Sequence, residues 1–323
     1  MTRYLIRRVL FMMLVLVVVS FLTFIIFVKL PSQDPAIRIA GRHPSPQILA
    51  EIRHSLGLDR GFFFQYLTFA KGLIPWPGLF LDRTVYYSWF TRVAVRDEIF
   101  SRFPVTLTLT VGAAVLWLAM GIPIGIVSAL RPGSLFDRTG TLFALFFVSA
   151  PVFWLGLVLL YLFHFKWNIA PGPGIPPGEP LGEAILKGTF VLPWFSLALT
   201  SAAFYSRMVR GNLMETMEED YIRTARSKGL PERKVIYRHG LRSALTPVVT
   251  MFGLDVAALL GGAVITETVF QLPGIGQYAI QSLYSADFPA VMGVTIVGAL
   301  FIVVANLLVD VFYAFLDPRV RYT

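Results

Sequence analysis

The stretch Val9–Val28 reads VLFMMLVLVVVSFLTFIIFV and contains no charged residue. An α-helix needs roughly 20 apolar residues to cross the hydrocarbon core of a bilayer, and this run is that long. Three basic residues, Arg3, Arg7 and Arg8, precede it. It exceeds the apolar core of about 7 to 15 residues found in a secretory signal peptide, and no small-residue cleavage motif follows it. We therefore predict a retained transmembrane helix.

The composition of the whole chain is also that of a membrane protein. Of 323 residues, 56% are hydrophobic and 15% are charged, against about 45 to 50% and about 25% in soluble domains. The mean hydropathy is +0.68. The net charge of +9 is weak evidence for a nucleic-acid partner, because basic residues in a membrane protein set its orientation. We predict that the chain binds no nucleic acid.

Several classes of chemistry lack the residues they need. The chain has no cysteine, which excludes disulfides, thiolate metal sites and cysteine nucleophiles. The sequence contains neither an HExxH zinc pair nor a GxxxxGK[ST] phosphate loop. Any ATP and magnesium that power this protein must therefore be bound by another chain. We predict that the chain is not an enzyme and has no catalytic residue, no metal site and no cofactor of its own.

Six windows of the chain are apolar and long enough to cross a bilayer, which predicts an all-α, polytopic membrane fold with six transmembrane helices. In the second window Gly112, Gly121 and Gly125, with Pro123, would kink the helix or let a neighbour approach closely. The windows cover about residues 9–28, 105–130, 141–165, 189–206, 247–265 and 289–316.

The loops between the windows predict the orientation of the chain. Basic residues in short loops favour the cytoplasmic side, and nine of the 28 basic residues lie in the 207–242 loop. We predict a bacterial inner-membrane protein with both termini in the cytoplasm. Aromatic residues within the outer segment would build a small folded cap or lie at the membrane interface. The predicted divisions are residues 1–30 (tail and first helix), 31–103 (extracytoplasmic segment), 104–316 (five-helix core with the 207–242 loop) and 317–323 (cytoplasmic tail).

The 207–242 loop is too regular for a slack linker. Acids at positions 218–220 precede a helical run over 221–228 that carries bases towards its end, an arrangement that suits the helix dipole. Gly229 then stands where a left-handed residue can end the helix, and Pro231 can open the next one. We predict a short helix, a tight turn and a second helix on the inner face of the membrane.

Residues Arg223 to Gly229 read RTARSKG, and after nine further residues His239 to Leu241 read HGL. This spacing resembles the cytoplasmic coupling motif of ABC importer permeases, usually written E-A-A-x-x-x-G-x9-I-x-L-P. Ala225, Gly229 and Leu241 match it. The departures are Arg223 in place of Glu, Thr224 in place of Ala, His239 in place of Ile and Arg242 in place of Pro.

The surrounding sequence resembles the peptide and nickel branch of that family, in which these departures are usual. The resemblance is carried by DYIRTARSKGL at 220–230 and RHGLRSALTPVVT at 238–250. Residues 261–276 and 316–322 are similar to the outer loop and the C-terminal tail of dipeptide and oligopeptide permeases. Residues 3–10 and 54–67 are similar to the first of their two permease subunits.

The resemblance implies the inner-membrane permease subunit of a dipeptide or oligopeptide ABC importer, with a permease-like helix bundle. In such importers the loop helix sits in a cleft of an ATPase subunit, whose closure moves the transmembrane helices. The implied partners are a second homologous permease subunit, one or two cytoplasmic ATPase subunits that bind ATP and magnesium, an extracytoplasmic substrate-binding protein, membrane lipid and a peptide substrate. The implied ATPase-coupling residues are Tyr221, Arg223, Thr224, Ala225, Lys228, Gly229 and Leu241.

Two acids mark a candidate substrate pathway. Asp255 lies in the middle of the fifth window, where an acid is either functional or paired with another side chain. It would face a peptide amino terminus or a cation, or else bond to a Ser, Thr or Arg of a neighbouring helix. Glu267, near the outer end of the same window, would touch cargo or fix the loop that follows.

Three alternatives to this function stay open at the level of sequence. The basic loop could fix only topology. The cargo could be nickel, glutathione or another small solute, although no His or Cys cluster favours a metal. In a different class, a proton-coupled secondary carrier would use Asp255 or Glu267 as its titrating group. A membrane enzyme ranks last, because no nucleophile, base and metal constellation is present.

Overall fold

A computed structural model describes residues 2–29, 35–40, 45–55, 57–72, 81 and 86–316. In this part of the chain all regular structure is helical, and the one extended pairing is an isolated bridge between Tyr87 and Ala94. The all-α prediction is confirmed. The helices are α1 Thr2–Phe24, α2 Pro35–Ala40, α3 Pro46–Ser55, α4 Phe62–Lys71, α5 Val95–Leu130, α6 Leu135–Ser149, α7 Val152–Leu159, α8 Leu181–Leu186, α9 Val191–Glu218, α10 Asp220–Ser227, α11 Glu232–Lys234, α12 Leu241–Ala244, α13 Thr246–Leu260, α14 Val264–Val269, α15 Ile275–Tyr284 and α16 Phe288–Leu316, with π-helical segments at Ile25–Lys29, Leu160–Lys166 and Val235–Gly240.

Three of the described helices are long and apolar enough to cross a membrane, and the number rises to five if each of two bent helix pairs is one span. The apolar spans Ile6–Val28, Val95–Leu130 and Phe288–Leu308 confirm the first, second and sixth windows. The fourth window lies in α9, which is not among these candidates. The count of six spans therefore stays a prediction.

The third window is two helices rather than one. α6 and α7 meet at a bend of 102°. Ala150 is extended at this bend, with ψ 124°, and Pro151 directly precedes α7. A proline disfavours the helical conformation of the residue before it and has no N–H to donate. The continuous helix predicted over residues 141–165 is therefore interrupted at Pro151.

The fifth window is also interrupted. α13 ends at Leu260, and the short helix α14 begins after a break that contains Gly262 at φ +125°. A Cβ at Gly262 would lie 2.8 Å from the Cα of Gly276, so a side chain fits here neither by backbone conformation nor by space. The helix predicted to run from 247 to 265 consequently stops before Ile265.

The chain divides into two compact units. The first comprises the described parts of Met1–Pro104, Leu260–Val264 and Gly274–Thr323, and the second comprises Val105–Leu259 and Ile265–Pro273. The division predicted at residues 30, 103 and 316 is not tested by this grouping and stays a prediction. The predicted tail, residues 317–323, lies outside the described residues.

An aromatic core joins α1 and α4 in the first unit. The Phe24 side chain is 2% exposed, and its ring centroid lies 5.7 Å from Phe62, 5.6 Å from Tyr66 and 5.5 Å from Phe69. The hydroxyls of Tyr66 and Ser20 are 2.9 Å apart. Edge-to-face and tilted ring pairs of this kind stabilise a core beyond their buried area. Of the two alternatives for the aromatic residues of the outer segment, the structure supports a folded core for Phe62 and Tyr66, to which Phe69 also belongs.

Glycines let α5 and α9 approach closely in the second unit. A Cβ on Gly121 would lie 3.0 Å from the carbonyl oxygen of Ala202, and one on Gly125 would lie 2.7 Å from that of Ser206. α5 continues through Pro123 as one helix. The close approach predicted from the glycine spacing is confirmed, and it fixes the position of α9, whose C-terminal end leads into the 207–242 loop.

Candidate functional site

The long helix α9 leads directly into the predicted coupling region, which we call the coupling segment (residues 219–244). α9 ends at Glu218, and Glu219 is extended, with φ −64° and ψ 147°. The next helix, α10, begins at Asp220. An acidic side chain in the first turn is favourable because it faces the positive end of the helix dipole. The chain thus turns sharply between two helices, as the acid-rich sequence at 218–220 predicts.

One side of α10 is buried on a small apolar cluster. The side chains of Ile222 and Val235 are 0% exposed and that of Ala225 is 7% exposed, and the partly buried Met217 and Leu230 pack against them. A helix this short is marginal on its own. The packing of Ile222 and Ala225 is therefore what holds α10 against the rest of the segment.

A tight turn closes α10. Gly229 has φ +73°, a conformation in which glycine is free of the Cβ penalty. Across the turn, Arg226 of α10 donates from Nη2 to Oε1 of Glu232 at 2.8 Å and from Nε to Oε2 at 3.3 Å. Pro231, predicted to open the next helix, lies immediately before α11. The left-handed glycine and the proline start are both confirmed.

The structure divides the predicted coupling residues into two groups. Tyr221, at 44% exposure, leads the exposed group. Ala225 is buried in the apolar cluster, and Leu241 is half-buried at the start of α12. The exposed members are Tyr221, Arg223, Thr224, Lys228 and Gly229. Five predicted residues are therefore exposed on α10 and its turn, Ala225 packs beneath them, and Leu241 lies outside that apolar cluster.

Two supporting residues, Ile222 and Val235, are absent from the sequence-based set. A signal for Ile222 was available, because Ile222 and Ala225 are three positions apart in an otherwise polar helix and therefore share a face. Val235 contacts them only through the fold, since it lies beyond the Gly229 turn in a π-helical segment. Its role could not be predicted from spacing alone.

Asp255 is half-buried on α13 and is held by α9. The hydroxyl of Tyr205, a fully buried residue, donates to Oδ2 of Asp255 at 2.7 Å. The indole of Trp117, also fully buried, has its centroid 5.9 Å from both the Tyr205 and the Phe252 rings. The indole Nε1–H has no hydrogen-bond partner among the described residues. The partner of the carboxylate is thus a tyrosine, which the sequence-based alternatives did not include.

Glu267 lies on α14, after the break that ends α13, and its side chain is 0% exposed. Thr106 Oγ1 on α5 donates to its Oε1 at 2.8 Å. The backbone N–H of Leu272 donates to the Glu267 carbonyl at 2.9 Å. These bonds fix the residues that follow, which favours the loop-fixing alternative for Glu267 over contact with cargo.

The described residues contain no group of three His, Cys, Asp or Glu side chains placed to hold a metal ion. The conspicuous feature of the site is instead a small, exposed, mostly basic surface on a rigid support. Such a surface is suited to docking against another protein.

Comparison with known proteins identifies the family of the chain. Residues 121–322 match the family described as binding-protein-dependent transport system inner membrane component, and residues 1–110 match the N-terminal family of the same transport system membrane component. The coupling segment, Asp255 and Glu267 all lie within the first match.

Individual relatives align along the whole chain. The chain is 36% identical to the dipeptide transport system permease protein DppB of Escherichia coli K12, covering 100% of this chain and 99% of that protein. It is 35% identical to the di/tripeptide transport system permease protein DppB of Pseudomonas aeruginosa, covering 94% of each. The dipeptide transport system permease protein DppB of Alkalihalophilus pseudofirmus is 34% identical over 100% of both chains.

A solved structure supports the fold. A crystal structure of an amino acid ABC transporter with histidines matches with a TM-score of 0.50 and 17% identity, covering 69% of this chain and 94% of that chain. At this identity the likeness concerns the fold alone. The family match spans more than half of the chain and the relatives span all of it, and this chain therefore belongs to the inner membrane components of binding-protein-dependent transport systems, which are multi-pass permeases of the inner membrane.

Proposed function

We propose that this chain is the transmembrane permease subunit of an ATP-driven importer that moves short peptides, di- or oligopeptides, across the cytoplasmic membrane. The observation that carries the proposal is the coupling segment, in which an exposed polar surface stands on a buried apolar support within a chain of this family. The relatives named above as dipeptide and di/tripeptide permeases support a peptide cargo. Nothing observed favours nickel, glutathione or another small solute.

The coupling segment docks onto an ATPase subunit. Tyr221, Arg223, Thr224 and Lys228 enter a cleft of that subunit, and Gly229 allows the sharp turn that keeps α10 compact. Ala225 supports this surface from below, and Leu241 belongs to the coupling segment at the start of α12. Because α9 is continuous up to the turn that begins α10, a displacement of the coupling segment is passed along α9 into the membrane part of the fold. Alternating access then follows from rigid-body movement of helices.

The remaining partners follow from this arrangement. A second homologous permease subunit completes the pathway, and an extracytoplasmic binding protein delivers the peptide. One or two cytoplasmic ATPase subunits bind ATP and magnesium, so that this chain has neither a catalytic site nor a cofactor of its own. Both termini lie in the cytoplasm, on the same side as the coupling segment, and residues 31–103 face the opposite side.

Asp255 belongs to the substrate pathway in this proposal. Its carboxylate is half-buried and Tyr205 orients it through one oxygen, so the other oxygen can accept from the amino terminus of a passing peptide. We assign Glu267 to the loop that follows α14, because its side chain is fully buried.

Reconstitution with a matched pair of glycine variants tests the coupling role. Gly229→Val introduces a β-branched residue at φ +73° with open space around it, and Gly178→Val does the same at φ +81° in the loop before α8. Both variants carry similar backbone strain, of about 1 to 2 kcal/mol. We expect Gly229→Val to abolish co-purification of the ATPase and ATP-dependent peptide uptake into proteoliposomes, whereas Gly178→Val keeps both.

Two results would contradict the proposal. If the Gly229→Val protein still co-purifies with the ATPase in wild-type amounts, the coupling role is wrong. If a proton gradient drives uptake of a labelled dipeptide by the purified chain alone, without ATPase or binding protein, the chain is a secondary carrier. Membrane insertion, checked by extraction and gel filtration, must be equal for the two variants.

A further inference from the structure

A bidentate ion pair joins α6 to α9 in the second unit. Arg210 donates from Nε to Oδ1 of Asp137 at 2.6 Å and from Nη2 to Oδ2 at 3.0 Å. The Asp137 side chain is 7% exposed and that of Arg210 is 33% exposed. The planar guanidinium and the carboxylate meet in parallel, which fixes both the distance and the orientation between the two helices. Among the described residues, no other ion pair joins α6 and α9.

The same carboxylate also organises the turn between α5 and α6. The backbone N–H of Gly133, which has φ +76°, donates to Oδ2 of Asp137 at 2.9 Å. The Asp137 N–H in turn donates to the hydroxyl of Ser134 at 3.2 Å, which caps the first turn of α6. Asp137 therefore connects this turn, through Arg210, to α9.

Arg210 lies close to the coupling segment along α9. Glu218, the last residue of α9, lies eight positions after it, which is about 12 Å of helix. Two positions after Arg210, Asn212 Nδ2 donates to the carbonyl oxygen of Ala244 at 3.2 Å, at the other end of the coupling segment. This half of α9 is thus bonded on one side to the α5–α6 turn and on another to the residue that ends α12.

We propose that the Asp137–Arg210 pair is a positioning link that keeps the α5–α6 turn and the start of α6 attached to α9 throughout the transport cycle. Displacement of the coupling segment then moves α6 together with α9, instead of being absorbed in the turn. This inference rests on the proposed function, because it concerns how a docking movement reaches the membrane helices. An exposed ion pair would be too weak for this, at about 0 to 1 kcal/mol, whereas this one is bidentate and largely shielded.

The absence of cysteine from the chain permits a direct test in the assembled importer. Asp137→Cys with Arg210→Cys removes the link, and a short bifunctional thiol reagent restores a covalent one. We expect the unlinked double variant to assemble. It should hydrolyse at least about fivefold more ATP per imported dipeptide than the wild type does, which is the factor that corresponds to the low end of typical coupling free energies. The bifunctional reagent should return the ratio towards that of the wild type, and a monofunctional thiol reagent should not.

A second measurement does not depend on cargo. Hydrogen exchange at the amides of residues 131–140 should respond to ATP in the wild-type complex and in the cross-linked variant, and should not respond in the unlinked variant. Glu183→Cys with Lys187→Cys is the matched control, because it removes an exposed ion pair of 2.8 Å elsewhere. If the double variant does not fold, Arg210→Lys replaces it as the test. This change keeps the positive charge but loses the two parallel guanidinium donors, and it should change the ATP-to-dipeptide ratio and the exchange response in the same direction but by less.

Three outcomes overturn the link. In the first, the ATP-to-dipeptide ratio of the unlinked variant equals that of the wild type. In the second, cross-linking stops transport. In the third, ATP does not change the amide exchange of residues 131–140 in the wild type. A wild-type complex in which ATP changes the exchange of residues 131–140 but drives no dipeptide uptake would instead refute the proposed cargo and leave the link supported.

Discussion

The coupling segment and the Tyr205–Asp255 pair are two polar regions of the same compact unit, and they are built in opposite ways. In the coupling segment the charged side chains are exposed and apolar residues, chiefly Ile222 and Val235, are buried beneath them. In the second region the polar groups are themselves buried or half-buried, and the Tyr205 hydroxyl donates to the Asp255 carboxylate beside the aromatic ring of Trp117.

The difference separates two tasks. An exposed surface on a small apolar support can bind another protein. Such a segment can also unfold locally while the remaining helices stay folded. A hydrogen-bonded pair between α9 and α13 orients a carboxylate whose burial without a partner would be costly. Docking is therefore expected to depend on apolar packing, and the substrate pathway on one hydrogen bond.

Ile222→Ala is the strongest test of the first region. Removing a fully buried isoleucine side chain costs about 2 to 5 kcal/mol, and we expect about 2 to 3 kcal/mol here because the cluster is small. The loss should be local, so that amides of the coupling segment exchange faster while the other helices keep their protection. Hydrogen exchange and ATPase co-purification measure the two effects.

Tyr237→Ala is the control for that change, since Tyr237 lies in the same segment but is 54% exposed. It should leave amide exchange close to that of the wild type. If Ile222→Ala lowers ATPase co-purification no more than Tyr237→Ala does, the coupling surface does not depend on its apolar support.

Tyr205→Phe should have the next largest effect, and in the second region. It removes the O–H that donates to Asp255 and leaves the carboxylate without this donor, at a cost of about 1 to 3 kcal/mol. Equilibrium unfolding in mixed micelles of SDS and a mild detergent measures it. Tyr284→Phe, at a residue that is 86% exposed, should change the free energy of unfolding little. Equal stability of both variants would show that the hydrogen bond contributes nothing.

The same contrast explains what the sequence could predict. The Gly229 turn and the start of α10 were predictable because each depends on neighbouring residues and on a backbone conformation that glycine favours. The break at Pro151 was predictable in principle, since a proline stands within the apolar run. Asp137 and Arg210 are 73 positions apart, and Tyr205 and Asp255 are 50 apart. Such pairs depend on how helices pack, which no local pattern reports.

Asp255→Asn is the smallest change and separates charge from shape in the second region. Asparagine has nearly the same volume, and its carbonyl oxygen can still accept from Tyr205 Oη, so the free energy of unfolding should change by less than about 1 kcal/mol. If the charge meets a peptide amino terminus, the dipeptide-stimulated ATP turnover of the complex should fall while assembly and the basal ATPase rate stay the same. If the dipeptide-stimulated ATP turnover is unchanged, Asp255 has only a role in helix packing. A fall in stability as large as that of Tyr205→Phe would mean that the negative charge itself holds α13 against α9, and that the pathway role must be sought at another residue.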